Sequence, residues 1–208
     1  LGLRIQLLDL SFLGFSHDPF NLHNIISLIL TLLWFVGITN AINWIDGLDG
    51  LAAGFVGIAS VGIGLISCIS GNYENCLLSL AIAGCCLGFL PFNSNPSKIM
   101  MGDSGSYFLG FTIASSSILA TSPELSKINL LIPLIILAVP IFDMAYVIFL
   151  RVLNAKSPFF PDRNHLHHRL IDYGFSYKNT INIIYLLSLI SILFALYLSS
   201  NYFKFGIN

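Results

Sequence analysis

Charged side chains are scarce in this sequence. Asp, Glu, Lys and Arg make up 9% of the 208 residues, whereas an ordinary soluble domain carries about 25%. Hydrophobic residues make up 56%, and the mean hydropathy is +0.84. This composition excludes an ordinary soluble domain and predicts an integral membrane protein, in which lipid surrounds most side chains.

Long basic runs and closely paired cysteines are lacking too. A net charge of −1 without a basic run argues against nucleic-acid binding. The cysteines lack the CxxC spacing of a metal knuckle and are interpreted as small packing residues: Cys68, Cys76, Cys85 and Cys86. Residue 1 is Leu, and no basic segment with a cleavage site follows it, so we expect the chain to begin inside a longer protein.

Six apolar segments have roughly the length that a helix needs to cross a bilayer. They are His23 to Asn40, Leu51 to Ser70, Cys76 to Phe92, Ser106 to Thr121, Ile128 to Leu150 and Asn179 to Ser199. The predicted fold class is all-α, a polytopic membrane helical bundle of about six transmembrane helices, with residues 1–208 as one integral-membrane domain. Residues 1–20 are too polar to span, and their alternation predicts a short extended or hairpin segment.

The sidedness follows from counting crossings. If each segment crosses once, the connections after the first, third and fifth spans share one face. That face holds six of the nine basic residues, Lys98, Arg151, Lys156, Arg163, Arg169 and Lys178, against Arg4, Lys127 and Lys204 opposite. The excess of positive charge predicts that this face is cytoplasmic, with residues 1–20 extracytoplasmic and residues 151–177 forming a cytoplasmic histidine loop. The predicted location is the plasma membrane.

The first cytoplasmic loop reads NAINWIDGLDGLAAG, from Asn40 to Gly54. Asp46 and Asp49 are three residues apart, so a helix that began here would place both carboxylates on one face near its N-terminus. Helix capping is the simple alternative to a role in binding or catalysis. The second cytoplasmic loop, NSNPSKIMMGDSGSYFLG, raises the same choice, because Asp103 stands among glycine and serine residues whose backbone amides could approach a phosphate.

The third cytoplasmic loop contains SPFFPDRNHLHHRL, with three histidines inside four residues. A transition-metal site and a solvated loop with incidental histidines are two interpretations. The favoured one is that Arg and His side chains donate hydrogen bonds to phosphate oxygens, with one His exchanging a proton near neutral pH. Asp143, inside the fifth apolar segment, is either functional or a structural hydrogen-bond acceptor.

Carboxylates, amides, Arg and His gathered at a membrane surface favour one chemistry. Carboxylate and amide oxygens suit Mg²⁺, which keeps several waters and binds substrate phosphates. Phosphoryl transfer needs such a cation, together with cationic donors that hold the developing charge. The sequence therefore predicts Mg²⁺-dependent phosphoryl transfer, with Mn²⁺ as the alternative ion.

Four motifs in order, NAINWIDGLDGLAAG, KIMMGDSGSYFLG, PIFDMAYVIFLR and PDRNHLHHRL, resemble those of the polyprenyl-phosphate N-acetylhexosamine-1-phosphate transferases, glycosyltransferase family 4. The resemblance implies transfer of a sugar 1-phosphate from a UDP-sugar to a membrane polyprenyl phosphate, with release of UMP. The HLHH pattern resembles the branch that uses UDP-N-acetylglucosamine to start cell-envelope polymers. Expected partners are these substrates and membrane lipid, with a homodimer as the candidate assembly.

The resemblance also assigns roles to residues. It implies metal binding by Asn43 and Asp103, and catalytic roles for Asp46, Asp49 and His168. The residues expected to bind substrate are Asn40, Asn93, Asp143, Arg163, His165, His167 and Arg169.

Two departures from the family pattern leave other functions open. Family members usually carry an adjacent Asp-Asp pair upstream, which nothing before Asn40 supplies, and Met100 stands where many have Phe. The alternatives are a catalytically inactive membrane remnant or scaffold, and an ion transporter with Asp46, Asp103 and His168 distributed along a pore.

Overall fold

Helices dominate the part of the chain that the computed structural model describes, namely residues 5, 7–8, 20–21, 24–120, 130–158 and 162–205. In these ranges lie α1 Asn24–Ile45, α2 Leu51–Ile69, α3 Tyr73–Asn93, α4 Gly102–Leu119, α5 Leu131–Ile136, α6 Ala138–Leu153, α7 Leu166–Asp172 and α8 Tyr177–Phe205. The helical bundle predicted from the sequence is confirmed.

Four of these helices are long and apolar enough to cross a membrane. They are α1, α2, α3 and α8, the last over Tyr177–Ser200. Among the described residues α4 is more polar, and α5 and α6 are shorter. A count of six spans therefore stays a prediction.

A short strand pair precedes the helices. β1, Leu7–Leu8, pairs antiparallel with β2, Phe20–Asn21, with Leu7 opposite Asn21. Ile5 is buried, and its backbone N–H donates to Thr31 Oγ1 in α1 at 3.1 Å. Gln6, Asp9 and Ser11, on which the predicted alternation rests, lie outside the described residues.

The fifth predicted span is interrupted. The prediction of one continuous helix from Ile128 to Leu150 is wrong, because α5 ends at Ile136 and α6 begins at Ala138. Pro140 explains the break, since proline has no N–H to donate and its ring crowds the carbonyl of the residue four positions earlier, Ile136.

The second helix forms the centre of the bundle. In α2, 72% of the membrane-length window is buried, against 28% in α1 and α3 and 22% in α8. Glycines permit this close packing: a Cβ on Gly62 would lie 2.6 Å from Ile192 Cγ2 of α8, and one on Gly57 would lie 3.2 Å from Cys86 Cβ of α3. α2 and α8 therefore approach each other closely along their length.

Far from the first loop, buried polar side chains join α2, α3 and α4. The Asn75 amide nitrogen donates to Ser67 Oγ at 2.8 Å and to the Ser116 carbonyl at 2.9 Å, while Ser116 Oγ donates to Asn75 Oδ1 at 2.9 Å. Ser79 Oγ lies 2.6 Å from Ser116 Oγ. These hydrogen bonds satisfy polar groups that lipid could not.

Candidate active site

Three segments meet at one end of the bundle. Loop 1 is residues 46–50, between α1 and α2; loop 2 is residues 94–101, between α3 and α4; and the histidine segment is residues 162–172, which includes α7. The Gly50 N–H donates to Asn93 Oδ1 at 3.1 Å, and the Ser97 N–H donates to Asp49 Oδ2 at 3.2 Å. His167 packs directly against Gly47. The convergence that the crossing argument predicts is therefore present.

Loop 1 is not part of a helix. α1 ends at Ile45 and α2 begins at Leu51, with Gly50 as its N-cap residue. The condition under which Asp46 and Asp49 would share a helix face is not met, because both precede α2, which begins at Leu51 as the predicted segment does. Gly50 has φ of 82°, the left-handed region that glycine adopts without strain.

Asp46 of loop 1 has a raised pKa. Burial raises the pKa of Asp46 to about 6, with further contributions from the charges of Asp103 and Asp49. An acid in this range exchanges a proton near neutral pH. Three carboxylates from loop 1 and α4 therefore share one electrostatic environment.

Asp49 links loop 1 to loop 2. Its Oδ2 accepts hydrogen bonds from the Ser97 N–H and from the Asn95 amide nitrogen, at 3.2 Å and 3.3 Å. One oxygen of Asp49 thus fixes the path of loop 2. Since the other oxygen takes part in no hydrogen bond within the described residues, the carboxylate can still bind a ligand.

Asn43 and Asp103 are in direct contact. The Asn43 amide nitrogen lies 3.2 Å from Asp103 Oδ1 and 2.9 Å from Ser106 Oγ. Asp103 is exposed in the first turn of α4. Its Oδ2 and the amide oxygen of Asn43 have no hydrogen-bond partner among the described residues, and these are the ligand types that Mg²⁺ prefers when water and phosphate complete its shell. The pair fits such a cation.

Asp143 holds the start of α7. Its Oδ2 lies 2.8 Å from His165 Nδ1, and its Oδ1 accepts the Leu166 N–H at 2.6 Å. Asp143 and His165 are both buried. Both carboxylate oxygens are therefore engaged within the protein, which is the structural interpretation of Asp143 that the sequence left open.

His167 is buried against loop 1. Its side chain is 1% exposed, and neither ring nitrogen has a hydrogen-bond partner in the described residues. A Cβ on Gly47 would lie 2.1 Å from His167 Nε2, so the ring occupies space that only glycine leaves open. Burial lowers the pKa of His167 to about 4, assisted by the charges of His168 and His165. His167 is therefore neutral at physiological pH.

His168 and the two arginines are more accessible. His168 is half-buried, with its ring centroid 4.3 Å from that of His167. Burial lowers the pKa of His168, and the neighbouring charges of Arg163 and His165 lower it further. Arg163 is exposed, while the Arg169 guanidinium lies 4.3 Å from the centroid of the Tyr146 ring.

Arg151 is a site residue that sequence reasoning missed. Its Nε donates to Asp162 Oδ2 at 2.8 Å, and its guanidinium lies 4.8 Å from the centroid of the Trp44 ring. Burial alone would raise the pKa of Asp162, but the hydrogen bond and charge of Arg151 lower it overall. This pair ties the histidine segment to the end of α6. In the sequence, the only indication of this pair is an arginine at the end of an apolar segment, followed by Asp162 in the letters PDR.

Two residues predicted to bind substrate, Asn40 and Asn93, form hydrogen bonds within the protein. The Asn40 amide nitrogen donates to the Val36 carbonyl at 2.7 Å, within its own helix. Asn93 is buried, accepting from Gly50 and donating to the Ile99 carbonyl at 3.0 Å. Their predicted contact with substrate stays a prediction.

The described residues contain no group of three or more His, Cys, Asp or Glu side chains placed to hold a metal ion.

Comparison with known proteins identifies a family and several relatives. Residues 2–121 match the profile of Glycosyl transferase family 4. The chain is 45% identical to a probable undecaprenyl-phosphate N-acetylglucosaminyl 1-phosphate transferase of Bacillus subtilis, over 82% of this chain and 48% of that protein. It is 39% identical to a decaprenyl-phosphate N-acetylglucosaminephosphotransferase of Mycobacterium leprae, over 77% of this chain and 45% of that protein.

A third relative is more distant but covers more of the chain. It is an undecaprenyl-phosphate alpha-N-acetylglucosaminyl 1-phosphate transferase of Salmonella typhi, 30% identical over 86% of this chain and 50% of that protein. The chain spans about half the length of the curated relatives it matches.

Proposed function

Because the chain belongs to glycosyl transferase family 4, we propose that it takes part in the transfer of N-acetylglucosamine 1-phosphate from UDP-N-acetylglucosamine to a polyprenyl phosphate, with release of UMP. The observation that carries the proposal is the meeting of loop 1, loop 2 and the histidine segment at one end of a membrane bundle. The polyprenyl phosphate and the N-acetylglucosaminyl phosphate group of this proposal are taken from the names of the relatives.

Asn43 and Asp103 would hold Mg²⁺ or Mn²⁺ beside the diphosphate of the nucleotide sugar. When bound, the cation supplies positive charge that bridges and neutralises the phosphate oxygens. The direct contact of the two side chains and their unpartnered oxygens support this assignment.

Asp46 and Asp49 would orient the nucleotide or the attacking lipid phosphate. The phosphate oxygen of the lipid is already anionic, so its attack on the diphosphate depends on positioning more than on loss of a proton. The hydrogen bonds of Asp49 to loop 2 and the effect of its charge on the pKa of Asp46 support this assignment.

His168, Arg163 and Arg169 would donate to the phosphate oxygens as charge develops on them. Arg163 is exposed, and His168 and Arg169 are partly so, which leaves their donors accessible to a ligand. The basic residues of this face support a cytoplasmic site in the plasma membrane, where the reaction would be the first lipid-linked step of cell-envelope polysaccharide synthesis.

The test is an assay in membranes of the chain within its complete reading frame. We expect UMP release from UDP-N-acetylglucosamine that requires both undecaprenyl phosphate and Mg²⁺. Asp103→Asn should lower turnover by about 100-fold, because it weakens the cation site. Glu74→Gln is the matched control, since Glu74 also lies in the first turn of a helix, α3, but at the opposite end of the bundle. No turnover, or full activity of Asp103→Asn, would contradict the proposal.

The arrangement argues against an ion transporter. A transport pathway predicts Asp46, Asp103 and His168 at successive depths along a pore. Instead, the charge of Asp103 acts directly on Asp46 at the end of the bundle where α1 ends and α4 begins. The inactive-remnant alternative is decided by the same assay.

A further inference from the structure

Tyr185 reaches from the last helix into loop 1. It lies in α8, and its hydroxyl donates to the Gly50 carbonyl oxygen at 2.7 Å, although the two residues are 135 positions apart. Neither composition nor any motif in the sequence marks this tyrosine.

A notch in α2 receives the tyrosine ring. A Cβ on Gly54 would lie 1.7 Å from Tyr185 Oη and 2.1 Å from Cζ, so any side chain at position 54 would displace the ring. Gly54 itself is buried. The glycine therefore allows the phenol to pack closely against α2 with its hydroxyl at the N-cap residue.

The backbone of Gly50 is held from several directions. Its carbonyl accepts both the Gly54 N–H, at 2.9 Å, and the Tyr185 hydroxyl. Its N–H donates to Asn93 Oδ1. The preceding residue, Asp49, is fixed by Ser97. Gly50 and the residue before it are therefore anchored to α2, α3, α8 and loop 2.

We propose that Tyr185 is a positioning residue for the transfer reaction, holding loop 1 so that Asp46 and Asp49 keep their orientation; this rests on the function proposed above. The role is positional because the phenolic proton is donated to a backbone carbonyl, so it is not directed at a substrate phosphate. Tyr185 thereby acts on the site through the backbone of loop 1.

The test compares Tyr185→Phe with wild type, because this change removes the hydroxyl and keeps the ring in the Gly54 notch. One lost hydrogen bond predicts about fivefold faster amide exchange in a peptide that covers residues 48–51. The kcat for UMP release should fall about fivefold or more. Tyr197→Phe is the control, since Tyr197 lies on the same helix and is 64% exposed; it should change neither quantity.

The two readouts separate this inference from the function on which it rests. Faster exchange together with lower kcat supports the positioning role. Unchanged exchange in Tyr185→Phe, or unchanged kcat despite faster exchange, overturns it. If wild type shows no turnover at all, the proposed function fails, whereas faster exchange in the variant still supports the hold of Tyr185 on loop 1. The exchange measurement needs no substrate.

Discussion

Gly47 of loop 1 and His167 of the histidine segment pack closely against each other. The φ angle of Gly47 is not positive, so the backbone conformation does not require glycine at this position. The requirement comes from the neighbouring ring of His167. Loop 1 and α7 can therefore approach only while position 47 lacks a side chain.

We expect Gly47→Ala to lower turnover by about tenfold, because the added methyl group forces His167 or the loop to move. The measurement is the UMP-release assay in membranes. Gly84→Ala is the control, since a Cβ there meets nothing within 4 Å.

A second pair of variants isolates the steric cause. If the clash with His167 is responsible, Gly47→Ala combined with His167→Ala should be no less active than His167→Ala alone. Full additivity of the two losses would show that alanine harms the loop by another route.

The acidic and histidine residues of the site could be predicted from the sequence, since charge stands out in a chain that is 9% charged. This pattern predicts Asp46, Asp103 and His168 as site residues. The supporting roles could not be predicted: no motif marks Tyr185, and Asn93 was expected to bind substrate, whereas both act through contacts with distant backbone. Their partners become visible only once the helices are packed.

At the scale of secondary structure, the polar network around Asn75 connects three membrane helices. Asn75→Leu keeps the number of side-chain heavy atoms and their branching but removes these hydrogen bonds, so we expect a loss of about 1 kcal/mol in the free energy of unfolding. Thermal unfolding in detergent should show a melting temperature lower by about 2–4 °C.

Ser115→Ala is the control for Asn75→Leu. The Ser115 hydroxyl bonds only to the Phe111 carbonyl of its own helix within the described residues, so its removal leaves contacts between helices intact. Equal melting temperatures for the two variants would contradict a stabilising role for the network.

Apolar run length predicted the positions of the long helices better than their ends, since the first segment, predicted to stop at Asn40, continues as α1 to Ile45. The predicted segment Leu51 to Ser70 differs from α2 by one residue. The break at Leu137 could not be predicted from hydrophobicity, because it arises from Pro140, whose ring crowds the carbonyl of Ile136. The short helix α7 inside the histidine segment was also missed, because its cap is Asp143 from another helix.

At the scale of the whole molecule, the crossing argument predicts which loops share a side of the membrane. In a variant without its native cysteines, Lys98→Cys and Lys156→Cys should react with an impermeant thiol reagent from one side. Tyr73→Cys, at the start of α3, should react only from the other side. All three positions are exposed.

Opposite reactivity of positions 98 and 156 would contradict the shared face on which the proposed function depends. Charge counting predicts this sidedness, because six of the nine Lys and Arg residues fall on the face that these loops share. It could not predict how closely the loops approach, which depends on glycine contacts such as that between Gly47 and His167.

The anchoring of Gly50 has a consequence for biosynthesis. Gly50 leaves the ribosome 43 residues ahead of Asn93 and 135 residues ahead of Tyr185. The nascent loop therefore lacks one of its two distant partners until α8 has entered the bilayer. Completion of loop 1 is thus coupled to the synthesis of α8, and a chain that stops before Tyr185 would have this loop unsecured even when it is inserted in the membrane.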